Sequence, residues 1–178
     1  MHIRAGRDEE GNGLLKALPG IVKPMLKRSA GLLMYRTCNG MLELLLAHAG
    51  DPFWARKDEG AWSIPKGEYP DGEEPLQAAT REFQEEMGLE AEGEMIELTA
   101  VKQRGGKVVQ AWAFEGNCDA GAIKSNLFSI EWPPRSGQTR EFPEIDRAEW
   151  FVVDVAKEKI LKGQLSFIEE LEDILKGR

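Results

Sequence analysis

Three glutamates, Glu82, Glu85 and Glu86, stand at i, i+3 and i+4. On a helix that spacing puts their carboxylates on one face. Like charges so placed repel at a cost on the order of a few tenths of a kcal/mol per pair. Two chemistries fit such a face. One is a solvated acidic surface. The other is a site for a hard cation, because Mg2+ or Mn2+ takes oxygen ligands from carboxylates and shares them with phosphate. The glutamates alone leave that choice open. The element that must carry them is well marked. Pro75 suits a first helical turn, and Gly88 suits a C-terminal stop. Between them Leu76, Ala79, Phe83 and Met87 recur at helical spacing and make an apolar face. The carboxylates lie roughly 100° round from that stripe. Upstream, Pro65-Lys66-Gly67 makes a sharp bend leading into the helix.

The chain has 178 residues, enough for one domain with a real core. Its net charge of −8 argues against non-specific binding to nucleic acid polymers or anionic membranes. The acidity is concentrated around the helix. It would repel a phosphate substrate unless a bound divalent cation inverted the local sign. Two cysteines, Cys38 and Cys118, lack metal-ligand spacing and suit free thiols in a reducing compartment. There is no apolar run near the roughly 20 residues of a membrane span. No signal-peptide pattern is present, and the expected location is the cytoplasm.

Residues 1–24 read as a flexible arm, with Leu14, Leu15 and Leu18 able to make a short helical turn, and the domain as residues 25–178. Met25 is a candidate natural start. Ser29–Tyr35 and Met41–Ala49 are expected strands joined at Asn39-Gly40, a hairpin signal. The second has apolar residues on both faces, as in a fully buried strand. His48 at its end reads as structural or exposed. The loop 50–60 carries Phe53 and Trp54, suited to stacking on a base or to capping the core, with Arg56 and Lys57 within reach of a phosphate. Further on, Met95–Arg104 and Lys107–Phe114 are expected to pair across Gly105-Gly106, the second as a central strand. Glu115–Arg140 reads as a long irregular segment, because Trp132-Pro133-Pro134-Arg135-Ser136-Gly137 excludes regular structure. It contains enough apolar residues to pack, either as a substrate-covering loop or as a structural wrap. A strand Glu149–Val153, a helix Asp154–Lys162 broken at Gly163 and a last helix opened by a Ser166–Glu169 capping box complete the chain.

The stretch Gly67–Leu89, GEYPDGEEPLQAATREFQEEMGL, resembles the Nudix box G-x5-E-x7-R-E-U-x-E-E-x-G-U at every fixed position. The looser order of strands, helix, strands and helix is also similar to that family. The resemblance implies an α/β/α sandwich around a mixed sheet, and hydrolysis of a phosphoanhydride bond in a nucleoside diphosphate-linked substrate. It implies a Mg2+ or Mn2+ cofactor held by Glu82, Glu85, Glu86 and the Gly67 carbonyl. Glu82 or Glu144 would act as base, Glu141 being the alternative to Glu144. Arg81, counted with the catalytic residues, would work by pairing with Glu73 or Glu85 and fixing the loop and helix. Trp54, Lys66, Trp132 and Arg135 are the substrate-contact candidates.

The marks of several subfamilies outside the box are missing: the downstream Tyr of many dinucleoside polyphosphate hydrolases, the downstream Pro of ADP-ribose hydrolases and the upstream motif of coenzyme A hydrolases. A nucleoside triphosphate or related small nucleotide is the default substrate. A dinucleoside polyphosphate and a non-catalytic nucleotide-binding module are the alternatives.

Overall fold

The computed structural model describes residues 27–178. The arm expected over residues 1–24 and the candidate start at Met25 lie outside the described residues. Strand β1 (Arg28–Cys38) is the axis of the sheet. It pairs antiparallel with β2 (Met41–Ala49) along Tyr35–Cys38. Asn39 and Gly40 close this hairpin with φ of 51° and 77°, the left-handed pair that a tight two-residue turn needs. Towards its start, β1 pairs instead with β4 (Lys66–Glu68) along Ser29–Gly31. β2 likewise takes β3 (Trp62–Ser63) at Ala47 and His48. The two hairpin strands therefore part beyond Tyr35 and Leu44, and the chain from Trp62 to Glu68 fills the wedge. On the far side of β1, β6 (Val108–Glu115) runs parallel to it, with β5 (Ile96–Lys102) antiparallel at the edge. β9 (Ile145–Val152) lies along the other side of β2.

Alternation along the strands feeds two cores. Ala30, Leu32 and Met34 face helix α1 (Pro75–Met87), which buries Ala78, Ala79, Phe83 and Met87 against them. Leu33, Leu44, Leu46, Val109 and Ala111 face the opposite layer, α2 (Val153–Lys159) and α3 (Leu165–Lys176), whose Ala156, Phe167, Ile168 and Leu171 are buried. The fold is the expected α/β/α sandwich on a mixed sheet, with β1, β2 and β6 covered on both faces.

Three expectations are corrected. The segment expected to be irregular over Glu115–Arg140 holds a hairpin, β7 (Leu127–Glu131) with β8 (Thr139–Pro143). The prolines exclude regular structure only at its tip; Phe128 and Ile130 alternate with exposed neighbours as a strand requires. Helix α2 ends at Lys159 rather than Lys162, because Ile160 bridges to Trp62 and Leu161 N–H donates to the Trp62 carbonyl at 2.7 Å. The capping box does not form: α3 starts at Leu165, Ser166 is already inside it, and no side chain caps the end.

Gln164, the residue before α3, has another task. It is fully buried, and its Oε1 accepts from Ile64 N–H at 3.0 Å. Its Nε2 donates to Ser63 Oγ at 3.1 Å. It thus ties the last helix to the residues just before the Pro65-Lys66-Gly67 bend. Gln164→Leu keeps the volume but leaves Ile64 N–H unpaired in the core, a loss of about 1–3 kcal/mol. A melting temperature lowered by roughly 2–10 °C is expected for a domain of this size; an unchanged melting curve would show that this tie does not hold the segment.

Candidate active site

The bend is made possible by bare backbone on both sides. Leu32 N–H donates to the Pro65 carbonyl at 3.1 Å. A Cβ on Gly31 would come within 2.6 Å of the Lys66 Cβ and the Pro65 oxygen, so only glycine lets the wedge strand lie this close to β1. At Gly67 the intruder is chemical. A Cβ there would collide with the Glu82 carboxylate. The glutamate occupies the space that a side chain at Gly67 would fill. One turn further along α1, Glu86 is largely buried and its Oε2 accepts from the Lys66 backbone N–H at 2.9 Å. The helix is therefore docked on the bend by two carboxylates as well as by its apolar stripe.

Arg81 organises the outer side of the same helix. Its Nε and Nη2 donate to the two carboxylate oxygens of Glu73 at 2.9 and 3.1 Å. Its Nη1 donates to Glu82 Oε1 at 2.6 Å and lies 3.4 Å from Glu85 Oε2. The fork holds the loop before α1 against the helix and partly offsets the charge of two glutamates. Glu73 holds Arg81 more firmly protonated, and Arg81 holds the Glu73 carboxyl below the usual range.

The third contributor comes from far along the chain. Glu144 sits between β8 and β9, with its N–H donating to the Asn126 carbonyl at 2.9 Å and its carbonyl accepting from Gly50 N–H at 3.0 Å. Gly50 packs so closely on the Pro143 carbonyl that a Cβ would overlap it. Loss of solvation raises the Glu144 carboxyl, and the charges of Glu82 and Glu85 add to the rise. For Glu86 burial dominates and pushes the carboxyl up to about 8; Lys66 opposes this, while Glu82 and Glu144 reinforce it. Burial also lowers the Lys66 ammonium, against the pull of Glu86. Helix and distal loop thus point acidic groups at one region. Glu141, the alternative, is exposed on β8 and paired across the hairpin with Ser129.

Among the described residues, no three acidic side chains stand in a ready ligand cluster. Glu82 is turned onto Arg81, and Glu86 onto the backbone of Lys66. The donor set nevertheless fits a hard cation. It is all oxygen, and it combines a buried carboxylate with raised proton affinity and a cradle at Gly67 that only glycine leaves open.

The substrate candidates fall in different places. Lys66 is part of the bend itself. Trp54 packs against the core on the α3 side, with Lys57 Nζ 4.3 Å from its ring centre. There it lines a cleft of about 750 Å³ together with Lys102, Arg104 and Lys162. Trp132 follows β7 and meets Phe53, and Arg135 sits exposed at the hairpin tip with φ of 64°. His48 is structural: fully buried, with Nδ1 2.8 Å from Asp146 and Nε2 2.7 Å from the Lys57 carbonyl. Sequence reasoning missed Gln164, which in sequence is one polar residue before a helix, and read Phe53 with Trp54 as able to stack on a base or cap the core without counting Phe53 among the substrate-contact candidates.

Arg81→Ala is expected to lower both activity and melting temperature. Arg81→Lys should recover charge but not the two-pronged contact with Glu73. Wild-type melting and full turnover in Arg81→Ala would contradict this positioning role.

The NUDIX domain family model matches residues 25–171. An RNA pyrophosphohydrolase of Brucella anthropi is 32% identical over 164 residues, covering 78% of this chain and 88% of that protein. A bis(5'-nucleosyl)-tetraphosphatase of Rattus norvegicus is 35% identical over 103 residues, covering 51% of this chain and 66% of that protein. Among solved structures, a C. elegans Ap4A hydrolase binary complex aligns with a TM-score of 0.57 at 23% identity, over 86% of this chain and 100% of that one. The NUDIX domain of Shewanella oneidensis NrtR, complexed with ADP ribose, aligns at 0.60 with 16% identity, over 85% and 90%. These two likenesses speak for the fold. No described helix is long and apolar enough to cross a membrane. With the box matched throughout and the family model spanning most of the sequence, the chain belongs to the Nudix hydrolase family.

Proposed function

We propose that this protein hydrolyses a phosphoanhydride bond of a nucleotide, most simply a nucleoside triphosphate, with Mg2+ or Mn2+ as cofactor. The observation that supports it best is the gathering of Glu82 and Glu86 from α1 and Glu144 from the β8–β9 junction around the Gly67 bend. Glu82, Glu85, Glu86 and the Gly67 carbonyl would hold the cation. When bound, it supplies neutralisation of phosphate oxygens and acidification of water. The chain's own residues do the rest. Glu144 or Glu82 accepts the proton of the attacking water as its oxygen bonds to phosphorus and the bridging P–O bond breaks. Arg81 keeps Glu82 and Glu73 in place. The Lys66 ammonium, beside Glu86 and Glu82, would give a phosphate oxygen a positive partner. A dinucleoside polyphosphate is the second reading, supported by the names of the rat and nematode relatives.

The test is phosphate and pyrophosphate release from a panel of nucleoside triphosphates, dinucleoside polyphosphates, nucleotide sugars and a 5′-triphosphorylated oligoribonucleotide. Each is assayed with Mg2+, Mn2+ or chelator. Turnover of one class is expected, abolished by chelator and reduced on the order of 10²-fold or more in Glu86→Gln. Metal-dependent nucleotide binding without turnover of any substrate would replace the enzyme by a binding module.

A further inference from the structure

The hairpin of β7 and β8 stands outside the seven-stranded sheet; among the described residues its strands pair only with each other. Its base is nonetheless anchored at the active site. The contacts that fix Glu144 and its neighbour also fix the hairpin: Glu144 N–H donates to the Asn126 carbonyl at 2.9 Å, Ile145 N–H donates to Ser125 Oγ at 3.0 Å, and on the other side Gly50 N–H donates to the Glu144 carbonyl at 3.0 Å. From the Gly50–Glu144 contact two chain segments rise together. One is the turn that begins at Asp51, whose Oδ1 accepts from Phe53 N–H at 2.9 Å. The other is β8, which runs back from Pro143 through Phe142. Their aromatic side chains meet across Trp132. Phe53 lies 5.1 Å from Trp132 at 88°, and Phe142 lies 6.4 Å from Trp132 at 85°.

This cluster differs from a core in one respect. Phe53 is 58% exposed and Trp132 is only partly covered. The neighbouring aromatic, Trp54, is packed on the α3-side core with Lys57 over its ring, so of the turn's two aromatic side chains Phe53 is the exposed one. An edge-to-face pair leaves an open corner, into which a third ring can slot with offset stacking on one member and its edge to the other. Every nucleobase offers such a face, and stacking on aromatics is tolerant of base identity.

We propose that the Phe53–Trp132 corner is the nucleobase subsite of a substrate whose phosphates reach the glutamates at the Gly67 bend. The proposal rests on the nucleotide reading above and names the residues that select for a nucleotide over a bare polyphosphate. Because the corner reads a ring face, it accepts purines and pyrimidines alike.

The experiment compares the KM for ATP with the inhibition constant of inorganic tripolyphosphate, which carries the anhydride without a base. Wild type, Phe53→Ala, Phe53→Tyr and Trp132→Ala are assayed. In each alanine variant the ratio of the ATP constant to the tripolyphosphate constant is expected to rise about tenfold, and Phe53→Tyr should keep the wild-type ratio. Misfolding would weaken both ligands together and leave the ratio unmoved. An unchanged ratio in both alanine variants with tripolyphosphate inhibition as in wild type, or a tyrosine variant as impaired as the alanine, overturns the subsite. If the wild type hydrolyses no nucleotide, calorimetric dissociation constants with Mg2+ replace KM. The same tenfold change then upholds the subsite while the hydrolase reading falls, and wild-type binding of ATP no tighter than of tripolyphosphate overturns it.

Discussion

The hydrogen bond from the Lys66 backbone N–H to the buried Glu86 carboxylate joins the two parts on which everything else in the site depends. A carboxylate placed largely out of water is costly unless it is paired or bonded. Here the cost is visible as a carboxyl raised to about 8. The backbone donor and the Lys66 ammonium offset part of it. The apolar stripe of α1, with Phe83 and Met87 fully buried, supplies the packing that holds the glutamate there. The bend in turn exists because β1 and β2 separate and the segment from Trp62 to Glu68 lies in the wedge, with Gly31 and Gly67 giving the clearance.

That arrangement gathers negative charge that the fold alone does not need. Arg81 meets three of the acids, and its fork to Glu73 ties the preceding loop to the helix. It is too exposed to count as a major source of stability. Its role is geometric. Glu144 is brought in by a different route, through the close packing of Gly50 on Pro143, so that one acid of the site is set by the sheet's far edge rather than by the helix.

Much of this was legible in the sequence where a local period or a turn signal carried it. The helix with its glutamates followed from spacing, the β1–β2 hairpin from Asn39-Gly40, and the buried character of β2 from its near-continuous apolar run. What stayed hidden depended on contacts between distant segments. The β7–β8 hairpin was masked by Pro133 and Pro134, which interrupt only its tip. Gln164 looks like an ordinary polar residue at a helix start, and its burial against Ile64 overrides the local capping signal of Ser166. Phe53 and Trp54 are adjacent and chemically alike. Only the path of the turn sends one to Trp132 and the other to the α3-side core.

The most direct test of the central claim is the affinity for Mn2+ as a function of pH. If a cation is held by Glu86, it must displace the proton that burial favours, because a metal ligand of this kind binds as the carboxylate. Below about 8 the proton competes, so affinity must rise with pH. Titration by calorimetry or paramagnetic resonance is predicted to show about a tenfold gain per pH unit at the acid end, levelling off above the Glu86 transition. Glu86→Gln should bind weakly with a flatter profile. A wild-type affinity that does not change with pH through this range, or one shared by Glu86→Gln, would contradict a cation held at the Gly67 bend.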